Sequence, residues 1–325
     1  MFLRKQRKMK HILANMMMAI VLIACSNGGM DPVDNGGEDE YVPVRVETVE
    51  DNGVETRAVA LSNASIGIFR TAPYTATFPQ QYDVQCTHDG TGWSLADKLY
   101  VGGTDASLHV YYPYGKVTFN GDNSTVTALT VKDNTADNDF CYADAPLAAV
   151  NNRNPVASFL LKHAYAGVKF SIACHSTYPL KCKLTKIVMK PATSGKTFYV
   201  ERSMDISKSA ADAGQLGGST ASGWTLDTSA LAMGTAGIAQ GSTDVSISKL
   251  FPPQDFEDDT QLILTIDGSE YSVTIPYETL KALKAGYLST IFLEVKGTGV
   301  DISGVKVYPW DTSVVPGGDN DATLD

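Results

Sequence analysis

The chain has 325 residues, 43% apolar and 19% charged, with 36 acidic against 26 basic side chains and a formal net charge of −10. This is an ordinary globular composition in a chain long enough to build two hydrophobic cores. The acidic balance argues against nucleic acid and against an electrostatic hold on anionic lipid, and no apolar stretch beyond the first 24 residues approaches the ~18 of a membrane span.

Arg4, Lys5, Arg7, Lys8 and Lys10 form a cationic start, followed by an apolar run over 12–24 that only Asn15 interrupts. The run is too short for a permanent transmembrane helix and reads as a secretory signal over residues 1–24. It ends in Leu22-Ile23-Ala24-Cys25, which resembles a bacterial lipobox, so Cys25 is the expected lipidation site and new N-terminus. Two or three acyl chains on Cys25 would hold the protein on a membrane, where a single chain anchors only marginally. The signal takes five of the 26 basic residues and none of the 36 acidic ones, leaving a net charge near −15.

Residues 26–40 are Gly, Asn, Asp and Glu with almost nothing apolar, a solvated tether. The run 42–48 (VPVRVET) reads as a strand with Val42, Val44 and Val46 on one face, and Pro43 places it at a strand start or a sheet edge. Asp51-Asn52-Gly53 marks a turn, and Glu55-Thr56-Arg57-Ala58 follows. From there short strands recur. Ile66 alternates with Gly67 and Ile68 with its neighbours, and the run 108–112 alternates likewise. Val168, Phe170, Ile172 and Cys174 share a face, as do Leu262, Leu264 and Ile266, then Tyr271, Val273, Ile275 and Tyr277, and finally Ile291, Leu293 and Val295. Asp267-Gly268 between two alternating runs predicts a tight hairpin. Residues 277–284 read as two turns of helix with Gly286 past the end, and 203–243, rich in Ser, Ala, Gly and Thr, as a long loop or a loosely packed insertion. The polar run 150–155, with Pro155, is the expected domain boundary. Many short strands at this spacing predict an all-β chain of two tandem β-sandwiches. The expected division is tether and N-terminal strand 25–57, first sandwich 58–153, second sandwich and tail 154–325.

With Cys25 committed to lipid, Cys86, Cys141, Cys174 and Cys182 allow three disulfide pairings. The most local joins Cys174 to Cys182 across a short loop containing Pro179; free buried thiols are the alternative. The cysteines lack CxxC spacing and a nearby His pair, so no metal site and no cofactor are expected. Phosphate-loop, HExxH, GxSxG and EF-hand patterns are absent, and His163 reads as a hydrogen-bonded structural histidine rather than a catalytic base, so no enzyme is expected. Tyr outnumbers Phe, 15 to 11. Tyrosines on an exposed sheet could bind glycan, but also serve as half-buried strand residues.

In their order along the chain, several stretches resemble the fimbrillin family, the type V pilus subunits of Gram-negative gut and oral anaerobes, including its Mfa-like branch. They are the lipobox and tether, 55–58 (ETRA), 108–114 (LHVYYPY), 159–168 with Lys162-His163 and Ala166, 251–256 (FPPQDF), Gly286-Tyr287, and 302–310. The resemblance implies transthyretin-like, Greek-key sandwiches and export as a lipoprotein precursor to the outer membrane and surface fimbrium. It implies cleavage by an arginine-specific protease between Arg57 and Ala58, release of the strand carrying Val42, Val44 and Val46, and head-to-tail polymerisation with other subunits by donor-strand exchange. Arg45 is a second candidate cut, but would divide that strand in two. The donor is either the tail 310–325, poor in apolar anchors and holding Pro316, or a rearranged last strand over 305–310. The competing function is a surface lipoprotein that keeps its tether and binds glycan or host protein without polymerising.

Overall fold

In a computed structural model of the full chain, the structure describes residues 40–51, 63–116, 118–119, 125–135, 138–143, 145–206, 217–242 and 245–309. They belong to one compact unit and are almost entirely β. The first sheet has seven strands in the order Arg45–Asp51, Val156–His163, Cys141–Ala143, Ser107–Tyr112, Ser65–Ala72, Gln81–His88, Trp93–Leu95. Val156–His163 shows how sequence period sets the faces: Ala157, Phe159, Leu161 and His163 are buried and the residues between them half-buried. Ala157, Phe159 and Leu161 join Ile66, Ile68, Leu108 and Val110 in the first core.

The second sheet runs Lys132–Asp133, Val245–Phe251, Ala166–Cys174, Tyr287–Lys296, Gly299–Pro309. Its central strand, Ala166–Cys174, is antiparallel to Val245–Phe251 and parallel to Tyr287–Lys296, and is buried along most of its length. The third sheet runs Trp224–Asp227, Leu184–Pro191, Thr260–Ile266, Ser269–Ile275. Ile187, Met189, Leu262 and Leu264 of the third sheet share one core with Phe170, Ile172, Ile291 and Leu293 of the second, a sheet-on-sheet sandwich. The hairpin expected at Asp267-Gly268 is present: both residues have positive φ (49° and 81°), which a two-residue primed turn requires.

A third cluster joins the halves, bringing Phe69, Tyr111 and Tyr142 from the first sheet onto Leu129, Met204 and Leu250. The topology departs from a boundary at 153/154. Val156–His163 pairs with Arg45–Asp51 and with Cys141–Ala143, so it belongs to the first sheet, and the chain passes to the second sheet at Ala164-Tyr165. The polar run 150–155 is a turn within the first half, where the Asn151 side chain accepts the N–H groups of Arg153 and Asn154 at 2.9 and 3.0 Å. Asn-rich composition marks a tight turn as readily as a linker.

Residues 277–284 are not a helix. After a turn on the Pro276 carbonyl, Ala282–Leu283 pairs with Gln254–Asp255. Leu280 and Leu283 are both buried, and their separation of three imitates a helical period. Nor is 203–243 simply a loop: its described part supplies Trp224–Asp227, a one-turn helix Ala232–Thr235, and core residues Leu226, Met233 and Ile238.

Candidate functional site

The N-terminal segment is seated on the first sheet by few bonds and much apolar contact. Val42–Pro43 pairs antiparallel with Tyr100–Val101, and Arg45–Asp51 pairs parallel with Val156–His163 as the terminal strand of the sheet. The Val44 N–H donates to the Leu99 carbonyl at 2.7 Å and the Arg45 N–H to that of Pro155 at 2.8 Å. Val44 and Val46 are each 5% exposed in the first core, while Val42 packs half-buried at its margin.

Val49, 6% exposed, is a fourth core residue of this segment that the alternation does not indicate. A register shift opposite Ala157/Ser158 inserts one extra residue, Glu47, and resets the inward positions from even to odd. The spacing of Val46 and Val49 was the available signal, since it fits a strand only through a bulge. At the other end Tyr41 stacks on Phe78, with ring centroids 3.9 Å apart and planes at 21°. Phe78 also takes the guanidinium of buried Arg70 at 3.8 Å, and burial lowers the Arg70 pKa. A cavity of about 250 Å³ separates the segment from Trp93–Leu95 at the opposite end of the sheet, lined by Val44, Val46, Trp93, Leu95 and Lys98. The two terminal strands of the sheet therefore face each other across this cavity.

Cys25, Arg57 and Ala58 lie outside the described residues. Cys174 and Cys182 are brought together: both are buried free thiols, and the Cys182 side chain hydrogen-bonds with that of Cys174. Burial, with the neighbouring thiol adding to it, pushes Cys182 up to about 12. Cys86, in the first core, is pushed up to about 12 by burial. Such thiols are poor nucleophiles. His163 has the partner that the sequence did not name, Asp139, whose Oδ2 lies 2.8 Å from its Nδ1, and Cys141 stands beside them. Among the described residues these three are the group whose donor atoms could hold a metal ion. Tyr41, Tyr74, Tyr82 and Tyr277 are the exposed tyrosines among the described residues, and Tyr41 is occupied by its stack on Phe78. No described helix is long and apolar enough to cross a membrane.

A family model described as fimbrillin-like matches residues 56–310. Among solved structures, that of a candidate cell adhesion protein from Bacteroides ovatus superposes with a TM-score of 0.59 at 19% identity, covering 83% of this chain and 98% of its own. A second candidate cell adhesion protein, from Bacteroides uniformis, gives 0.53 at 14% identity, covering 83% of this chain and 99% of its own. At these identities the likeness is one of fold. No curated protein matches the sequence.

Proposed function

Because the chain belongs to the fimbrillin-like family, we propose that it is a structural subunit of a surface fimbria that supports adhesion. In this reading it is exported as a lipoprotein through Cys25, cut between Arg57 and Ala58 by an arginine-specific protease, and joined to other subunits by donor-strand exchange. The observation that carries the reading is the seating of the N-terminal segment. It is a terminal strand, its main strand is held by a single ladder, and its buried valines face the first core.

Loss of that segment would uncover Ala157, Phe159 and Leu161 and leave Val156–His163 as an unpaired edge. Each buried valine contributes about 1.5–3 kcal/mol, so the vacated groove strongly favours refilling. A strand from another subunit restores both ladder bonds and apolar burial. Repeated head to tail, such a contact does not close and grows a filament.

The donor proposed is the last described strand, Gly299–Pro309. It too is terminal in its sheet, antiparallel to Tyr287–Lys296 alone. Its inward residues are Val300, Ile302, Val305 and Val307, with a register shift after Ile302. Steps of two and then three residues separate Val300, Ile302 and Val305, as they separate Val44, Val46 and Val49. The final strand thus offers side chains at the spacing the groove already accepts. Arg57→Ala is expected to leave the fold intact and abolish polymer formation in cells, seen as loss of the high-molecular-weight ladder; unaltered polymer would refute processing at Arg57.

In the same reading Cys174 and Cys182 join in an oxidising compartment, closing a short loop at the rim of the second core. A loop of this length stabilises by about 2.5 kcal/mol on chain-entropy grounds. Tryptic mapping without reductant is expected to find peptide 170–181 linked to dipeptide 182–183; recovery of both unlinked and alkylated would refute the bond.

A further inference from the structure

Cys141 and His163 are direct partners in the ladder between Cys141–Ala143 and Val156–His163. Opposed residues project to one face of a sheet, so their side chains meet on the inner face of the first core. Asp139 stands two residues before Cys141, and the bond from the Ala164 N–H to the Phe140 carbonyl, 2.8 Å, continues the pairing past the strand ends. Asp139 is thereby diagonal to His163 on the same side. His163 Nδ1 lies 2.8 Å from Asp139 Oδ2 and 3.5 Å from Cys141 Sγ, and the three ligand atoms lie within 4.8 Å of one another. The His163 and Asp139 side chains are each 4% exposed.

We propose that Asp139, Cys141 and His163 form a zinc site through Oδ2, Sγ and Nδ1. A tetrahedral zinc ion with bonds of about 2.0 Å to N and O and about 2.3 Å to S holds its ligand atoms about 3.3–3.5 Å apart. The thiol already stands at that distance from the imidazole, and the carboxylate needs to withdraw by about half an ångström. Thiolate, imidazole and carboxylate suit zinc better than calcium or magnesium, which prefer all-oxygen shells. Charge favours the same ion: a dication with one thiolate and one carboxylate sums to zero, which is what a buried site tolerates. On binding, Cys141 gives up its thiol proton, His163 keeps its hydrogen on Nε2, and a water fills the fourth position. The ion would fasten Cys141–Ala143 to the end of Val156–His163, where the chain leaves the first sheet for the second. The site does not depend on the assembly reading.

The test uses the full chain in metal-free buffer, titrated with cobalt(II) as a spectroscopic stand-in. One equivalent is expected to produce a thiolate-to-cobalt charge-transfer band together with tetrahedral visible bands, and zinc to bleach both. Cys141→Ser, nearly isosteric, is expected to abolish the charge-transfer band while keeping the β circular dichroism. Saturating zinc is expected to raise the Tm by about 5 °C or more, reversed by chelator. Absence of the band, with no zinc retained through gel filtration and no Tm shift, would overturn the site. So would zinc uptake unchanged by both Cys141→Ser and His163→Gln, which would place the ion on surface groups. Should Cys141→Ser fail to fold, the double variant Cys174→Ser/Cys182→Ser is expected to keep the band, and its loss there would assign the ion to that second thiol pair and overturn the site.

Discussion

A Cβ on Gly67 would sit 2.0 Å from Tyr111 Cε1 and 2.7 Å from Asp83 Oδ1. The Tyr111 ring cannot retreat cheaply, because it is fully buried and its hydroxyl donates to Asp83 Oδ1 at 2.6 Å. Burial of part of the carboxylate raises the Asp83 pKa, with the Tyr111 hydroxyl opposing that shift, while the residue as a whole is exposed. Gly67→Ala is therefore expected to destabilise by about 3 kcal/mol or more, read as a fall in the urea midpoint at constant m-value. A loss below about 1 kcal/mol would mean that the ring has room to move. Sequence alone shows Ile66 and Ile68 flanking this glycine as alternation, but not the ring from 44 residues downstream that requires the glycine.

Strands were legible wherever the period of two ran unbroken, as in Ala166–Cys174, Thr260–Ile266 and the hairpin through Asp267-Gly268. They were less so where packing broke it. Val49 escaped notice because Glu47 is an extra residue opposite Ala157/Ser158, and nothing local announces a bulge set by the partner strand. Residues 277–284 read as helix because Leu280 and Leu283 are core residues three apart on a turn and a two-residue strand. The matched spacing of the first and last strands has a direct consequence. A synthetic peptide of residues 299–309 is expected to bind the cleaved subunit and stop ladder growth at stoichiometric excess. The same peptide carrying Val305→Asp should fail, since it would place a charge in the position occupied by Val49. Equal inhibition by both peptides, or by neither, would remove Gly299–Pro309 as donor.

At the scale of the molecule, the all-β class and an N-terminal strand with Val42, Val44 and Val46 on one face could be read from the chain, while the Asp139–His163 pair could not. Its members are 24 residues apart, and only the ladder of Val156–His163 with Cys141–Ala143 brings them together. The same ladder moved the expected boundary from 153/154 to the far end of that strand, because a polar turn inside a sheet and a linker between domains share one composition. The third cluster, with residues from both halves, packs the described residues into a single unit, on which we propose that one terminal strand is exchanged. That exchange is the central claim. The measurement that tests it most directly is limited digestion of the purified precursor with an arginine-specific protease, followed by N-terminal sequencing and an unboiled denaturing gel. The account predicts a new terminus at Ala58, loss of residues 42–51 from the folded product, and a detergent-resistant ladder. An intact Arg57–Ala58 bond, or a cleaved chain that keeps its N-terminal strand and stays monomeric, would contradict it.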